Sequence, residues 1–348
     1  MALSKIDTTN MIEDVPQSKL DNNINFRNSI INGDMSVSQR STSVSGITSG
    51  NGAYNTIDRY SIYMATAGTF TQSQSTDVPS GQGFSSSLKM DCTTANSSLS
   101  AGSYLHTQHA IEAQNLQYLK FGTSSAESLT LSFWVKSSKT GTYIVEFHHN
   151  DADKTISKSY TIDTASTWEK KIITIDGNTA DIINNDNGIG ISIWHWLVAG
   201  TNFTSGTLHS TWTTRVSAND AVGQVNLADS TSNEWYVTGV QLEAGTTASD
   251  FEFLPHDVNE QRCMRYFEYA TGANSHAGLY NDSTTTYIGH IFYKVRKRTR
   301  PTLSDWTGAS GITLNNSSSG DRGGTDIMYF TAGAQNKYVI VGKADAEL

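Results

Sequence analysis

The sequence predicts an all-β protein: a jelly-roll β-sandwich followed by a short linking helix and a smaller C-terminal β domain. Three observations carry that prediction. Charged residues make up only 16% of the 348 positions while Ser, Thr, Asn and Gly abound and Pro occurs four times, the composition of a turn-rich β protein with a neutral polar surface. Leu129, Leu131, Phe133 and Val135 alternate with Thr130, Ser132, Trp134 and Lys136, the period of two that a half-buried strand needs. Short apolar runs are separated by polar turn signals, and many short strands with hardly any helix read as two packed sheets, for which the jelly roll is the common solution.

Residues 1–26 are polar, with Ile6, Ile12, Val15 and Leu20 at no strand or helix period. Alone they cannot bury enough apolar surface to stay ordered, so they form a flexible leader or an anchor ordered by a partner. Residues 27–255 carry the sandwich. It starts at Arg27–Met35, runs through Tyr54–Tyr60 and Leu129–Lys136, and continues with strands at Tyr143–Phe147, Ser159–Ile162, Lys170–Ile175, Gly190–Trp196, Gly223–Leu227 and Trp235–Leu242. Ser138-Lys139-Thr140-Gly141, Asp176-Gly177, Asn185-Asp186-Asn187-Gly188 and Ala199-Gly200-Thr201-Asn202 are the turns between them. Trp134 interrupts the polar face of its strand, so that face is expected to be covered as well. Trp235, Val237, Val240 and Leu242 fill the core, and the Gly245-Thr246-Thr247 turn lets Phe251 and Phe253 fold back.

A helix is predicted over Val258–Tyr269, capped by Asp257, with Val258, Cys263, Tyr266 and Phe267 on one side. It accounts for the linking segment 256–270 and reads as a hinge. A second β unit covers 271–348.

The net charge of −9, with a pI near 5.4, argues against a nucleic-acid footprint, since phosphate binding needs clustered Lys and Arg. The one basic run, Lys294 to Arg300, is interrupted by Val295 and Thr299 and reads as the solvated face of a strand. Cys92 and Cys263 stand far apart and are expected free and buried, as in a protein made in a reducing cytoplasm. No apolar run approaches the ~18 residues of a membrane helix, and Met1–Ile6 lacks a signal-peptide apolar region, so no membrane insertion is expected.

Chemistry-bearing motifs are thin. His148 and His149 are consecutive and point to opposite faces of a strand, so they cannot share one ion, and the stretch to Asp153 reads as a solvated turn. His106 and His109 would converge only on a helix that Gly102 and Thr107 do not support. There is no Gly-x-Ser-x-Gly elbow, His-Glu-x-x-His helix or P-loop; acids such as Asp58 and Asp91 could be paired for glycoside hydrolysis, but sequence does not fix the carboxylate separation. No catalytic residue, metal site or cofactor is therefore assigned. Glycan binding is better supported, because sugars stack their C–H faces on exposed rings while amide and carboxylate side chains hold hydroxyls. Trp194 and Trp196 share one face of a strand, while Trp212, Tyr280, Tyr287 and Trp306 lie near polar turns, with Asn281 and Asp282 beside Tyr280. Loops around Tyr280–Ser283 and Asn315–Asp321 are further candidates.

The segment Trp235-Tyr236-Val237-Thr238-Gly239-Val240-Gln241-Leu242-Glu243, followed by Phe251, Phe253 and Pro255, resembles the closing strand of jelly-roll domains in marine bacteriophage tail-fibre proteins. So do Ile30–Met35 with Gln39-Arg40, Asp58-Arg59-Tyr60, Ile111–Leu116, Leu131–Ser138, Thr167–Lys171, Gly223–Asp229, Asn259–Glu268 and, weakly, Arg298–Thr302. More distantly, the order of these motifs resembles galactose-binding-like carbohydrate-binding modules, many of which carry a structural calcium. Here Thr238-Gly239 replaces an acidic pair, which leaves Asn32, Asp34 and Glu243 as weak ligands. The resemblance implies a non-enzymatic virion protein, a tail fibre on the particle surface, with Trp134, Trp168 and Trp235 in the core. It implies that residues 1–26 bind other virion proteins of tail or capsid, that the chain forms a homotrimer, and that it binds host cell-surface polysaccharide. A head fibre or capsid decoration protein is the alternative. A glycan-degrading enzyme is a further one, although the rungs of a parallel β-helix common in such spikes are missing.

Overall fold

The computed structural model describes residues 26–271, 280–281, 287–308, 312–315, 327–332 and 339–348. The first eleven strands form one continuous hydrogen-bonded array folded into the two layers of a jelly-roll sandwich. They are β1 (Ser43–Ala53), β2 (Tyr60–Ser75), β3 (Ser87–Thr94), β4 (Tyr104–Glu112), β5 (Leu129–Ser137), β6 (Gly141–His149), β7 (Lys154–Ile162), β8 (Glu169–Ile175), β9 (Ile189–Ala199), β10 (Thr213–Thr214) and β11 (Glu234–Ala244). One layer runs β10-β7-β6-β9-β4-β2 and the other β2-β3-β11-β5-β8. β2 is the seam: Tyr60–Ala65 pair with β4, Thr69–Ser75 pair with β3, and Thr66 between them takes a left-handed φ of 47° where the strand leaves one layer for the other. β1 runs antiparallel along β2.

Alternation in β5 works as the sequence predicts. Leu131, Phe133 and Val135 are sealed in the core, and the Phe133 ring lies edge-on 5.2 Å from Tyr160 of β7 and 5.2 Å from His195 of β9, so the two layers interdigitate there. Each such edge-to-face contact adds ~0.5–1.5 kcal/mol to the burial of the ring. The opposite face of β5 is covered too, since Thr130, Ser132 and Lys136 are buried. In β11 the register shifts between Thr238 and Gln241, and Gly239 has φ +62°; a Cβ there would stand 2.5 Å from Phe84 Cζ. Only glycine permits this bulge and the close ring. Phe84 in turn packs on Phe251 and Phe253 at 5.0 and 5.1 Å, so both phenylalanines do fold back.

Several elements differ from expectation. Residues 27–35 form no strand. They make irregular bends with Asn32 and Met35 at positive φ, because Asn32 bonds the backbone of Val37 and Asp58 with its own side chain. Gly223–Leu227 is also irregular, leading into a 3-10 turn at Leu227–Asp229 capped by the Asn226 side chain. The linking helix α2 (His256–Met264), preceded by the one-turn α1 (Thr201–Thr204), starts after Pro255 and ends at Met264; Asp257 lies inside its first turn and does not cap it. It is tied down rather than hinged. Cys263 and Tyr266 pack with Ile31 and Val37, and Asn259 Nδ2 donates to Asp34 Oδ1 and Ser36 Oγ at 3.1 Å each. Lys294–Arg300 is a loop, not a strand face, and Lys297 in it is buried against Glu268 at 2.8 Å.

The smaller unit contributes β12 (Phe267–Thr271), β13 (Tyr280–Asn281), β14 (Tyr287–Phe292), β15 (Thr302–Gly308), β16 (Ile312–Asn315), β17 (Ile327–Ala332) and β18 (Val339–Asp345), in sheets of order β12-β18-β15 and β13-β14-β17-β16. Its end is clasped to the sandwich. The fully buried Arg59 pairs with Glu347, donates to Ala110 O at 2.6 Å and lies 3.5 Å over the Tyr266 ring, while Arg40 Nη1 stands 3.3 Å from Glu347 Oε1.

Candidate functional site

Among the described residues, the outer face of the β2-β4-β9-β6 layer carries a closely packed group of rings. The registers Tyr63↔His106, His106↔Trp196 and Gln108↔Trp194 place Tyr63, Tyr104, His106, Trp194 and Trp196 on that one face. Tyr63, His106 and Trp194 are nearly parallel: Tyr63–His106 centroids are 5.1 Å apart at 9°, His106–Trp194 4.5 Å at 8°, and Tyr63–Trp194 6.5 Å at 17°. Tyr63 and Trp194 are half-buried and His106 is buried between them, so the two outer rings form the edge of a shelf with His106 as its filler. Burial, with Arg215 adding to it, pushes the His106 imidazole down to about 3, which keeps it neutral and able to stack. His148 closes one side, edge-on to Trp194 at 5.5 Å, and its Nε2 lies 3.1 Å from Asp153 Oδ1.

Residues 200–222 roof the remainder of the face. Phe203 packs on Tyr104 at 5.6 Å and on Trp196 at 5.3 Å, and Ile144, Trp196, Ala199 and Ala221 are buried together beneath it. The Arg215 guanidinium lies 5.0 Å over Trp194, donates to Asp220 Oδ2 at 2.6 Å and stands 3.8 Å from Glu146 Oε1. One cation thus serves two sealed carboxylates. Burial lifts Asp220 to about 6 and raises Glu146 well above the usual carboxylate range, the nearby Asp220 charge adding to the latter. Both side chains are 0% exposed, so neither reaches a ligand on the shelf.

Of the predicted residues, Trp194 and Trp196 share this face as expected, but they differ in role. Trp196 is buried and donates from Nε1 to Glu146 Oε2 at 3.0 Å, which makes it a support and not a contact surface. Trp212 is elsewhere: its Nε1 donates to Asp176 O at 2.7 Å and its ring meets Phe121 and His149 edge-on. Tyr280, Asn281, Tyr287 and Trp306 lie on β13, β14 and β15, away from the shelf in the chain's hydrogen-bonded order; Asp282, like residues 1–25 and most of the Asn315–Asp321 loop, lies outside the described residues. Trp235 is in the core, but Trp134 and Trp168 are half-buried on the outer face of the other layer. There Trp168 donates to Asp77 at 2.9 Å and sits 6.1 Å from Tyr236, and the charges are paired with one another, Lys136 with Asp77 and Lys89 with Glu234.

His148 and His149 do face opposite ways, yet they end strand β6 instead of a solvated turn, and His149 is buried with Nε2 on Ile182 O at 3.0 Å. His106 and His109 sit on opposite faces of β4. Asp58 is bound to Gln39 and Asp91 to Lys89, with no shared partner. Asn32, Asp34 and Glu243 have their oxygens engaged by Val37 N, Asn259 Nδ2 and the Ser249 amide and hydroxyl. Among the described residues no three His, Cys, Asp or Glu side chains gather in a metal-binding group. Both cysteines are free and buried.

The arrangement defines a jelly-roll domain with an aromatic shelf on one outer face. No protein-family model matches the chain, and no curated protein matches it. Solved structures are similar to it at low identity. The enzymatically active domain of bacteriophage CBA120 tailspike protein 4 is 13% identical over 63% of this chain with a TM-score of 0.32, and the match spans 21% of that domain. The CBM22-2 xylan-binding domain of Paenibacillus barcinonensis Xyn10C is 16% identical over 57% of this chain and 97% of its own, with a TM-score of 0.29. A family 11 carbohydrate-binding module from Clostridium thermocellum, solved with a mixed-linked tetrasaccharide, is 11% identical over 60% and 99%, with a TM-score of 0.27. These identities carry over no side chain, so the site is read from this chain's own residues.

Proposed function

We propose that the chain is a non-enzymatic glycan-binding protein of a bacteriophage particle, a tail fibre held to the virion by residues 1–26 and binding host-surface polysaccharide. The observation that carries the binding role is the near-parallel Tyr63–His106–Trp194 group, with Arg215 over the indole, at the edge of a rigid strand layer. Neutral rings locked by cross-strand packing offer a sugar C–H face a preformed surface, which lowers the ordering cost of binding. The sealing of Glu146 and Asp220 favours binding over hydrolysis, since carboxylates that attack or protonate a glycosidic bond must touch it. The virion role rests on the closing-strand and helix motifs of the sequence. A homotrimer would multiply weak sugar contacts into avidity.

Affinity electrophoresis against a panel of neutral polysaccharides tests the binding role. Trp194→Ala should weaken retention about tenfold, a loss of ~1.4 kcal/mol, and Trp212→Ala should leave it unchanged. Equal retention of both variants overturns the shelf. Gold-antibody labelling of particles tests the location: label at the tail supports the fibre, label over the head makes the chain a capsid appendage, and no label refutes both. Release of reducing ends from any bound polysaccharide would replace the binding role with a hydrolytic one.

A further inference from the structure

A second site lies beyond the Glu112 end of β4, in a cleft of about 1040 Å³ between the first described residues, the 3-10 segment after β4, helix α2 and the β14–β15 loop. That is at the upper end of the ~300–1,000 Å³ of ligand pockets and suits an oligomer better than a single small molecule. Its charge is opposite to that of the chain. Five of the 24 Lys and Arg residues line it, against the single acid Asp186, in a protein of net charge −9. Arg265 and Lys297 are neutralised by carboxylates: Arg265 makes a two-pronged pair with Glu112 at 2.7 and 2.9 Å, and Lys297 pairs with Glu268. Arg298 is fixed by the carbonyls of Asn187, Ala346 and Glu347 at 2.8 to 2.9 Å, which hold its guanidinium without cancelling its charge.

Arg262 is different. It makes no hydrogen bond or ion pair to any described residue; the Glu252 carboxylate, held by the amides of Phe26 and Asn28, acts on it only at longer range, and its guanidinium lies 5.9 Å from the ring of Phe26. Around it stand two exposed rings, Phe26 at 58% and Tyr118 at 46%, the latter held by a 2.6 Å bond to Ser29. The exposed carboxamide of Asn115 also faces the cleft without a described partner. An open guanidinium offers a two-pronged match to a carboxylate, exposed rings offer stacking surfaces, and an open amide offers a hydroxyl contact.

We propose that this cleft binds an acidic saccharide, a uronate-bearing oligosaccharide whose carboxylate is taken by Arg262 and whose rings lie against Tyr118 and Phe26. The site is independent of the Trp194 shelf, whose one cation is already shared by two carboxylates.

Isothermal titration of the full chain with tetragalacturonate and with its methyl ester, at low salt, tests this. The acid should bind at least tenfold more tightly than the ester, and 0.5 M salt should weaken it. Arg262→Gln should lower affinity for the acid at least tenfold and erase the preference over the ester. Tyr118→Ala should weaken acid and ester alike, and Trp194→Ala should affect neither. Absence of binding, equal affinity for acid and ester, or an unchanged Arg262→Gln variant overturns the proposal. Loss of uronate binding in Trp194→Ala also overturns it, by assigning the ligand to the shelf. Failure of the shelf variants to lose neutral glycan leaves the cleft standing, so the two readings fail separately. All three substituted side chains are at least partly exposed, and an unchanged melting temperature verifies that the variants fold.

Discussion

Replacing Arg59 by Met should unfasten the C-terminus. Arg59 is fully buried, and Glu347 beside it is 6% exposed. The substitution leaves the Glu347 carboxylate with Arg40 alone, strips the donor from Ala110 O and removes the cation over Tyr266. Breaking a buried pair from one side costs ~3–5 kcal/mol, because the remaining charge stays out of water. With ~2.1 cal/mol/K of unfolding entropy per residue, a chain of this length carries ~0.7 kcal/mol/K, so the melting temperature should fall by ~4–7 °C. Calorimetry of Arg59→Met, Glu347→Leu and the double variant measures the coupling. Each single variant should lose that amount, and the double should recover most of it, since two apolar groups leave no orphaned charge. Singles within ~1 kcal/mol of the parent, or a double equal to the sum of the singles, would refute the clasp.

Three further outcomes are expected. Gly33→Ala should lower stability by ~1–3 kcal/mol, because its Cβ would stand 2.1 Å from Val240 O in the backbone of β11; an unchanged chemical denaturation midpoint would contradict this. His195, pushed down to about 4 by burial, binds no proton in the folded chain over a range where the unfolded imidazole does, so its share of stability is full above pH 6.5 and is lost as pH falls toward 4. That share is about 3 kcal/mol, and melting curves of His195→Phe between pH 4 and 7 should show a shallower acid decline than the parent. Arg215→Met removes the cation between Glu146 and Asp220 and should cost about 2 kcal/mol, less than a fully sealed pair because the guanidinium side chain is 27% exposed. The loss should be larger at pH 8 than at pH 5, where the raised carboxyls hold protons; equal losses would show that the charges are not coupled.

The sequence is most legible where period and propensity agree. The alternation at Leu129–Lys136 yields β5, and Trp235–Leu242 yields a core strand, because one buried face of a strand leaves no other register open. Glycine at 239 cannot be read as a bulge from one sequence, since its cause is the Phe84 ring from another part of the chain. Residues 27–35 look like a strand, but Asn32 competes for the backbone with its own amide, and its partners lie up to 26 residues away. In the site, Trp194 and Trp196 are correctly placed on one face, yet which is sealed depends on Phe203 in the roofing segment. Tyr63 and Arg215 escape notice, and His106 is weighed only as a metal ligand, because Tyr63, His106 and Trp194 meet only through pairing of β2, β4 and β9, and Arg215 reaches Trp194 from the segment that follows β10. The signal was present for β4, where Tyr104, His106 and Gln108 recur at a period of two.

The root of the C-terminal unit has a consequence for what can be attached there. Its first and last strands, β12 and β18, pair antiparallel with each other, Phe267 opposite Asp345 and Thr271 opposite Val341. Entry and exit of everything between are therefore held about 5 Å apart, the spacing of neighbouring strands, on a base fastened to the sandwich through Arg59 and Glu347. Closing a longer or shorter insert at such a root changes the closure entropy only logarithmically with its length. Apart from the Lys294–Arg300 loop, which lines the cleft, the intervening sequence is thus a replaceable cassette, free to diverge while the sandwich and its shelf keep their geometry.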